Sequence, residues 1–213
     1  MTGFLIRKSQ KKYLGMDAML TLKDSTGADV YYFEVLKYDD ECFREAISAV
    51  DRAIAMYPER LDFRFMKANA YVSYERESPD MALANLLSLV NDFESGREKW
   101  IYDGQPADEE FFAGAMQEYC YSLYTIGSET SREAFRRLSE KLSGIYPANP
   151  EFINNIGSYY LLNHEYKTAL KYYDKVLKKH PGDRTAMQNA LLAAKQMKNS
   201  KLEKKYQTMM ARN

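Results

Sequence analysis

Histidine and cysteine, the side chains that most often carry chemistry, are few in this sequence and stand far apart. The chain contains 2 histidines and 2 cysteines. His164 and His180 have no cysteine or carboxylate at the short spacings that metal sites use, so surface positions are expected for both. Cys42 and Cys120 are too few to indicate a disulfide framework. We expect both to be buried free thiols, the usual state of this residue.

Clustered carboxylates could perform acid-base chemistry, but here they stand just before helical patterns. Asp39 and Asp40 precede one such pattern, and Asp108 to Glu110 precede another. Negative charge at a helix start is stabilised by the helix dipole, which explains these clusters without catalysis. The glycines are scattered and form no phosphate-binding loop. The sequence therefore predicts a protein that is not an enzyme and needs no cofactor or metal.

Length and composition place the chain among folded proteins that do not span a membrane. It has 213 residues, of which 46% are hydrophobic and 28% charged. No apolar run approaches the roughly 20 residues that a membrane helix requires. The start, MTGFLIRKSQKKYLG, lacks the apolar core of a secretory signal, which predicts a cytoplasmic protein. An exported mature domain without its signal peptide is the alternative.

The elements that must position any site are clearest between residues 153 and 181. Ile153, Ile156, Gly157 and Tyr160 recur at the spacing of one helix face, and a second face follows a short turn. That second face comprises Tyr166, Ala169, Tyr173, Val176 and Leu177. Small residues at Gly157 and Ala169 would let two helices approach closely, and Pro181 would end the second helix. The pattern predicts a packed helical hairpin.

This order of residues resembles the tetratricopeptide repeat, a helical hairpin of 34 residues. A second segment with the same spacing, an echo of the first, runs from Val30 to Pro58. Its interval from Ala46 to Pro58 equals that from Ala169 to Pro181. The echo departs from the family pattern at Glu34 and Lys37. An alternative makes this region a β-hairpin that turns at residues 25–27, because its flanks are rich in Thr, Val, Tyr and Phe.

The resemblance implies an all-α fold, a right-handed α-α superhelix of about four helix pairs with terminal capping helices. The segments would be an N-terminal cap (1–26), two degenerate repeats (27–96), a long connection (97–112), two further repeats (113–183) and a basic C-terminal helix pair (184–213). A helix through Leu14, Ala18 and Leu22 is expected in the cap. In the connection, we expect Trp100 and Ile101 to tuck into the stack as an anchor.

In this family the first helices of successive pairs line a groove that binds a peptide or a partner helix. The resemblance implies that this chain is such a protein-binding scaffold, with a tyrosine-bearing groove. The positions carried over are Tyr31, Val35 and Tyr38 in the first repeat, Phe65 and Asn69 in the second, Gln117, Tyr121 and Tyr124 in the third, and Asn154, Ser158 and Leu161 in the fourth. The alternative is that these tyrosines merely pack between repeats.

Charge is unevenly distributed although the net charge is zero. Residues 61–130 hold 5 basic against 13 acidic side chains, and residues 161–213 hold 12 against 4. An alternative site is therefore the basic end, which could attract an acidic partner or support weak self-association. Its exposed cations would be Lys195, Lys198, Lys201, Lys204 and Lys205. Nucleic acid is not the expected partner, because no aromatic residues interleave with these lysines.

Overall fold

A computed structural model describes residues 3–9, 18–75, 78–96 and 99–212. The chain folds into two compact units. Unit 1 comprises Met1–Phe112 and Tyr121–Ser131, and unit 2 comprises Ala113–Cys120 and Arg132–Asn213. None of the described helices is both long enough and apolar enough to cross a membrane.

Unit 1 begins with a three-stranded antiparallel sheet in the order β1-β3-β2. The strands are β1 (Gly3–Ser9), β2 (Leu20–Lys23) and β3 (Asp29–Lys37). Between β2 and β3 the Asp24 carboxylate accepts hydrogen bonds from the backbone N–H groups of Thr26 (2.8 Å) and Ala28 (3.0 Å). Gly27 supplies the left-handed backbone of the turn, with φ of 83°. The turn thus closes a β-hairpin.

This sheet corrects the predicted first helix of the first repeat. Residues 29–37 form a strand, so the β-hairpin alternative is right and the helical assignment of this segment is wrong. The β-branched and aromatic residues of DVYYFEV favour a pleated strand, and that preference prevails over the repeat phase. The predicted N-terminal helix is wrong over β2, where Leu22 lies, while Leu14 falls outside the described residues.

Three helices follow the sheet in unit 1. They are α1 (Asp40–Met56), α2 (Leu61–Tyr74) and α3 (Asp80–Glu94). Asp39 caps α1, because its carboxylate accepts hydrogen bonds from the backbone N–H groups of Glu41 and Cys42. Helices α2 and α3 bury apolar side chains, among them Leu61, Phe65, Ala68, Leu83, Leu86 and Leu89.

The long connection after α3 folds into a small hairpin of β4 (Ile101–Tyr102) and β5 (Gln105–Pro106). Trp100 is only 7% exposed, and its ring lies 5.6 Å from the ring of Phe93. The guanidinium of Arg64 lies 4.9 Å from the Trp100 ring centroid, a cation–π contact. The predicted anchor is confirmed, with Ile101 tied by a 3.0 Å hydrogen bond from its N–H to the carbonyl of Glu59.

The remaining described helices are α4 (Glu109–Ile126), α5 (Glu129–Ile145), α6 (Pro150–Leu162), α7 (Tyr166–Lys179), α8 (Arg184–Gln196) and α9 (Ser200–Arg212). In unit 2, α6 to α9 pack consecutively around a core that includes Ile153, Tyr173, Met187 and Tyr206. Short turns join these helices, as in antiparallel helix pairs. From Asp40 onward the predicted all-α architecture of helix pairs is confirmed, apart from the β4–β5 hairpin.

Gly157 makes the close helix contact that its position in the repeat predicts. A Cβ atom at Gly157 would lie 2.5 Å from Cε1 of Tyr173, nearer than real atoms approach. The Tyr173 ring is fully buried and Ala169 beside it is also fully buried. The absence of a side chain at Gly157 therefore lets α6 and α7 pack together.

Replacing Gly157 should destabilise unit 2 through overpacking. Gly157→Leu should lower the free energy of unfolding by about 1 to 3 kcal/mol, because the buried Tyr173 ring has no room to move away. Gly114→Leu is the matched control, since a Cβ atom there meets nothing within 4 Å. Denaturant unfolding followed by circular dichroism measures both. An unchanged midpoint for Gly157→Leu would contradict the contact.

The single tryptophan reports whether the connection is anchored. Because Trp100 is buried against Phe93, its emission in the native protein should be blue-shifted and should move to longer wavelength on unfolding. Acrylamide should quench the native emission weakly. Emission like that of free indole, unchanged on unfolding, would rule out the anchor.

The two cysteines should differ in reactivity, because the expectation that both are buried is wrong for Cys42. Cys42 is exposed whereas Cys120 is buried. Burial raises the pKa of the Cys120 thiol to about 12, which suppresses its reactive thiolate. A disulfide reagent should therefore modify one thiol per native chain and two after unfolding. Cys42→Ser should abolish the native reaction, and two reactive native thiols would refute this assignment.

Candidate protein-binding surface

Helix α1 is amphipathic, yet none of its residues is buried. Its apolar side carries Ile47, Val50 and Ile54, which are only half-buried, while Cys42 and Ala46 are exposed. An apolar helix face normally lies against a neighbour. Helix α1 packs against α2, but this contact leaves much of the apolar face uncovered.

An open pocket of about 400 Å³ lies along this uncovered side. One wall comes from the start of α1 and the residues before it, namely Tyr38, Asp39, Cys42, Phe43 and Ala46. The other wall comes from α2, namely Met66, Asn69, Ala70 and Ser73. We call these nine residues the α1–α2 groove. It brings together two residues that the sequence predicts to bind a partner, Tyr38 and Asn69.

Stacked aromatic rings support one end of the α1–α2 groove. The rings of Phe43 and Tyr74 are parallel, with centroids 3.8 Å apart, and the Tyr38 ring lies 6.3 Å from that of Tyr74. The Tyr74 hydroxyl donates a 2.8 Å hydrogen bond to the Asp40 carboxylate, which raises the pKa of Tyr74. These contacts link the start of α1 to the end of α2. They hold the rings of Phe43 and Tyr38 in place as a preformed surface.

The Asp39 carboxylate fixes the same end of the groove. Backbone N–H groups of Cys42 and Glu41 donate hydrogen bonds to it at 2.9 and 3.0 Å. The bond from Cys42 is the main cause of the lowered pKa of Asp39. The carboxylate is therefore negative at neutral pH and lies at the edge of an apolar pocket.

In unit 1, three predicted groove residues need correction. Tyr31 and Val35 lie on strand β3 and not on a helix. Phe65 is only 8% exposed, and its ring packs against those of Phe112 and Tyr102. Phe65 is thus a core residue, because α2 turns this position inward. Neither Tyr31 nor Phe65 lines the α1–α2 groove.

Tyr121 and Tyr124 form a separate aromatic surface near the end of α4. Tyr121 is 60% exposed, and its ring lies 6.4 Å from that of Tyr124 at an interplanar angle of 22°. A large aromatic ring that remains in solvent is a candidate contact for a partner. Neither tyrosine lines the α1–α2 groove.

Two of the predicted residues of unit 2, Gln117 and Ser158, make polar side-chain contacts. Gln117 and Asn155 exchange hydrogen bonds through their side-chain amides, at 2.8 and 3.3 Å. Ser158 lies 3.3 Å from the Tyr173 hydroxyl. Leu161 is half-buried against the core.

Asn154 is wrong as a groove residue. It is only 5% exposed, and its side-chain N–H donates to the Asp183 carboxylate at 3.2 Å. The Asp183 carboxylate also caps α8 at the backbone N–H of Ala186. Asn154 therefore connects α6 to the start of α8 and is unable to contact a partner.

Sequence reasoning missed the groove residues Cys42, Ala46 and Met66. Met66 is 53% exposed and precedes Asn69 by one helical turn. That spacing would have identified it once the rotation of α2 was known. Cys42 and Ala46 are expected in the core of a helix pair, but the segment that precedes α1 is a strand and both residues are exposed.

The lysines of the alternative basic site are all exposed. They are Lys195, Lys198, Lys201, Lys204 and Lys205. Lys205 forms a 2.8 Å ion pair with Asp174 and lies 4.6 Å from the ring centroid of the buried Tyr206. Its charge is therefore partly neutralised within unit 2, which leaves four lysines to attract an acidic partner.

Within the described ranges, no group of three or more His, Cys, Asp and Glu side chains could hold a metal ion. His164 lies in the turn between α6 and α7, where its Nδ1 atom is 2.8 Å from the Tyr166 hydroxyl. His180 stands directly after α7. Neither histidine borders the α1–α2 groove.

Comparison with known proteins gives structural matches but no match by sequence. No family model matches the chain, and no curated protein matches it. Nine solved chains match in structure, among them the one described as "Crystal structure of MamA protein". That chain is 16% identical, the match covers 80% of this chain and 81% of that one, and the TM-score is 0.49. An identity and a TM-score this low do not assign a function to this chain.

Proposed function

We propose that this protein is a non-catalytic scaffold that binds a partner protein in the α1–α2 groove. The observation that carries the proposal is the apolar face of α1, of which no residue is buried. Exposed apolar surface that lies beside polar residues is typical of interaction sites, since leaving it in water is otherwise unfavourable. The same face borders an open pocket of about 400 Å³.

The chemistry of the α1–α2 groove suits a protein ligand. Met66 is flexible and polarisable, so it can adapt to different apolar side chains. Tyr38 offers a large ring with a polar tip, and it is supported from behind by Tyr74. The exposed amide of Asn69 can both donate to and accept from a peptide group.

The stacked pair of Tyr121 and Tyr124 is proposed as a further contact for a partner. This pair lies on α4, and the bonded amides of Gln117 and Asn155 lie on α4 and α6, the helices that the resemblance assigns as first helices of the third and fourth repeats. The resemblance to tetratricopeptide repeats favours binding on such helices. Within this proposal Tyr38 and Asn69 supply the main site, because they are the predicted residues that share a pocket.

The basic end of unit 2 is the second candidate. Lys195, Lys198, Lys201 and Lys204 are exposed on α8, on α9 and in the turn between them. Attraction of this kind is long-ranged and is screened by salt, whereas apolar binding is not. The two candidates therefore differ in their salt dependence.

Met66→Glu should disrupt partner binding without disturbing the fold, because the side chain is exposed and a charge in the groove opposes apolar contact. Met81→Glu is the matched control, since Met81 is exposed to a similar extent but lies outside the groove. Proteins captured from the source cells by wild type and by Met81→Glu, but not by Met66→Glu, are the candidate partners. For a purified partner, we expect Met66→Glu to cost about 2 kcal/mol or more, roughly 30-fold in Kd.

Two further variants test the basic end and the tyrosine pair. Neutralising Lys195, Lys201 and Lys204 to Gln should leave the affinity nearly unchanged, and added salt should have a modest effect. Tyr121→Ala with Tyr124→Ala tests the secondary contact. If binding survives Met66→Glu but collapses in salt or after lysine neutralisation, the groove is not the site and the basic end is.

A further inference from the structure

The second helices of the first and fourth repeats have matching sequences but opposite burial. Five positions of α7 are buried: Ala169, Leu170, Tyr173, Val176 and Leu177. The corresponding positions of α1, counted back from Pro181 and Pro58, are Ala46, Ile47, Val50, Ala53 and Ile54. None of these is buried. Helix α1 therefore carries the same apolar stripe as α7 without the same cover.

The first helix of the fourth repeat provides that cover for α7. Helix α6 packs against both α7 and α8. Its Gly157 faces the Tyr173 ring, and its Ser158 lies 3.3 Å from the Tyr173 hydroxyl and 3.5 Å from the Asn189 side chain. A first helix thus fills the space between its own second helix and the first helix of the next pair.

The corresponding space in the first repeat is the α1–α2 groove. The segment that should supply the first helix is strand β3, and the sheet leaves Cys42 and Ala46 exposed. The walls at Cys42, Ala46 and Ala70 are small enough for a helix backbone to approach closely. With 17 residues, α1 is about 25 Å long, and the groove borders its first half, from Cys42 to Ala46.

The charges around the groove indicate which kind of helix would fit. Asp39 lines the groove, and Asp40, Glu41 and Glu45 are exposed directly after it in the chain, where Arg44 is the one exposed base. The ion pairs in the described part of unit 1 do not include these carboxylates. A ligand that carries positive charge beside its apolar face would complement them, whereas an acidic ligand would be repelled.

We propose that the partner inserts an amphipathic helix with a basic flank into the α1–α2 groove, where it takes the place of the missing first helix. This inference rests on the proposed function and specifies the ligand of that same site. The ligand is helical because the uncovered stripe has the spacing that a helix covers in the fourth repeat. It is basic because the edge of the groove is acidic.

A displayed library of random peptides of about 20 residues tests this inference with a defined probe, since about 20 residues make a helix of roughly 30 Å. Peptides are selected on wild-type protein and counter-selected on Ala46→Arg, which places a long charged side chain in the groove. Ala55→Arg is the matched control, because Ala55 is an exposed alanine further along α1 that the helical period places on the opposite side. Enriched peptides are then measured by fluorescence anisotropy and circular dichroism.

We expect enriched peptides with apolar residues at i, i+3 or i+4, and i+7, excess Lys and Arg, and a gain of helical signal on binding. Ala46→Arg should weaken them about tenfold or more, Glu45→Lys should weaken them severalfold, and Ala55→Arg should change Kd by less than roughly twofold. Groove-dependent peptides that are extended or acidic would overturn the inference while leaving the proposed function intact.

Other outcomes have equally definite meanings. If no enriched peptide discriminates wild type from Ala46→Arg, the inference is overturned, and retention of the partner by Met66→Glu would reject the proposed function separately. Sedimentation velocity at high protein concentration tests whether a second copy of this chain occupies the groove instead. A dimer that Ala46→Arg dissociates would make the occupant a second copy of this chain and would overturn the inference.

Discussion

The apolar stripe on each helix must be covered by a neighbour before the helix is stable, and this requirement organises the structure. Isolated helices of 13 or 14 residues, the length of α6 and α7, are marginal in water. Burying a single large apolar side chain contributes about 1.5 to 3 kcal/mol. The contact between the Tyr173 ring on α7 and the backbone of Gly157 on α6 illustrates this requirement, because it forms only when the two helices pack together. Both helices also pack against α8, so the α6–α7 pair depends on the helix that follows it.

The same requirement explains why the two units differ at their surfaces. Unit 2 buries the apolar face of α7 and most of that of α8. In unit 1, exposed large apolar side chains are frequent, including Met56, Tyr57, Met66 and Met81. The stripe of α1 has helix α2 on one side, and its other side borders an open pocket. The excess of exposed apolar surface thus lies in unit 1, where the stripe of α1 is incompletely covered.

The sequence predicts the fourth repeat well because its decisive contacts are local. Gly157 and Tyr173 are close in sequence, and the glycine, the aromatic residue and the final proline each leave a recognisable signal. The first repeat shares the Ala46 to Pro58 interval, which correctly predicts α1. Its preceding segment has Glu34 where a small residue is needed, and its β-branched and aromatic residues form β3 instead.

The candidate site is predicted less completely than the fold, because it depends on how each helix is rotated about its axis. Tyr38 and Asn69, two of the predicted groove residues, line the α1–α2 groove, although Tyr38 follows a strand and not a helix. Phe65 and Asn154 are predicted from the sequence to line a groove, but both are buried. No periodic pattern distinguishes the two cysteines, of which Cys42 is exposed and Cys120 is buried.

The anchoring of the β4–β5 hairpin has a consequence for local unfolding. The N–H of Ile101 bonds to Glu59, the N–H of Asp103 bonds to the Asp62 carboxylate at 2.7 Å, and Trp100 is buried beside Phe93. A protease that cuts the chain between Trp100 and Gln105 must first pull this hairpin away from α2 and remove Trp100 from its contacts. The rate of cleavage would then depend on the free energy of this local opening and not on the length of the connection. Despite its length, the hairpin segment opens only when buried contacts of the core are broken.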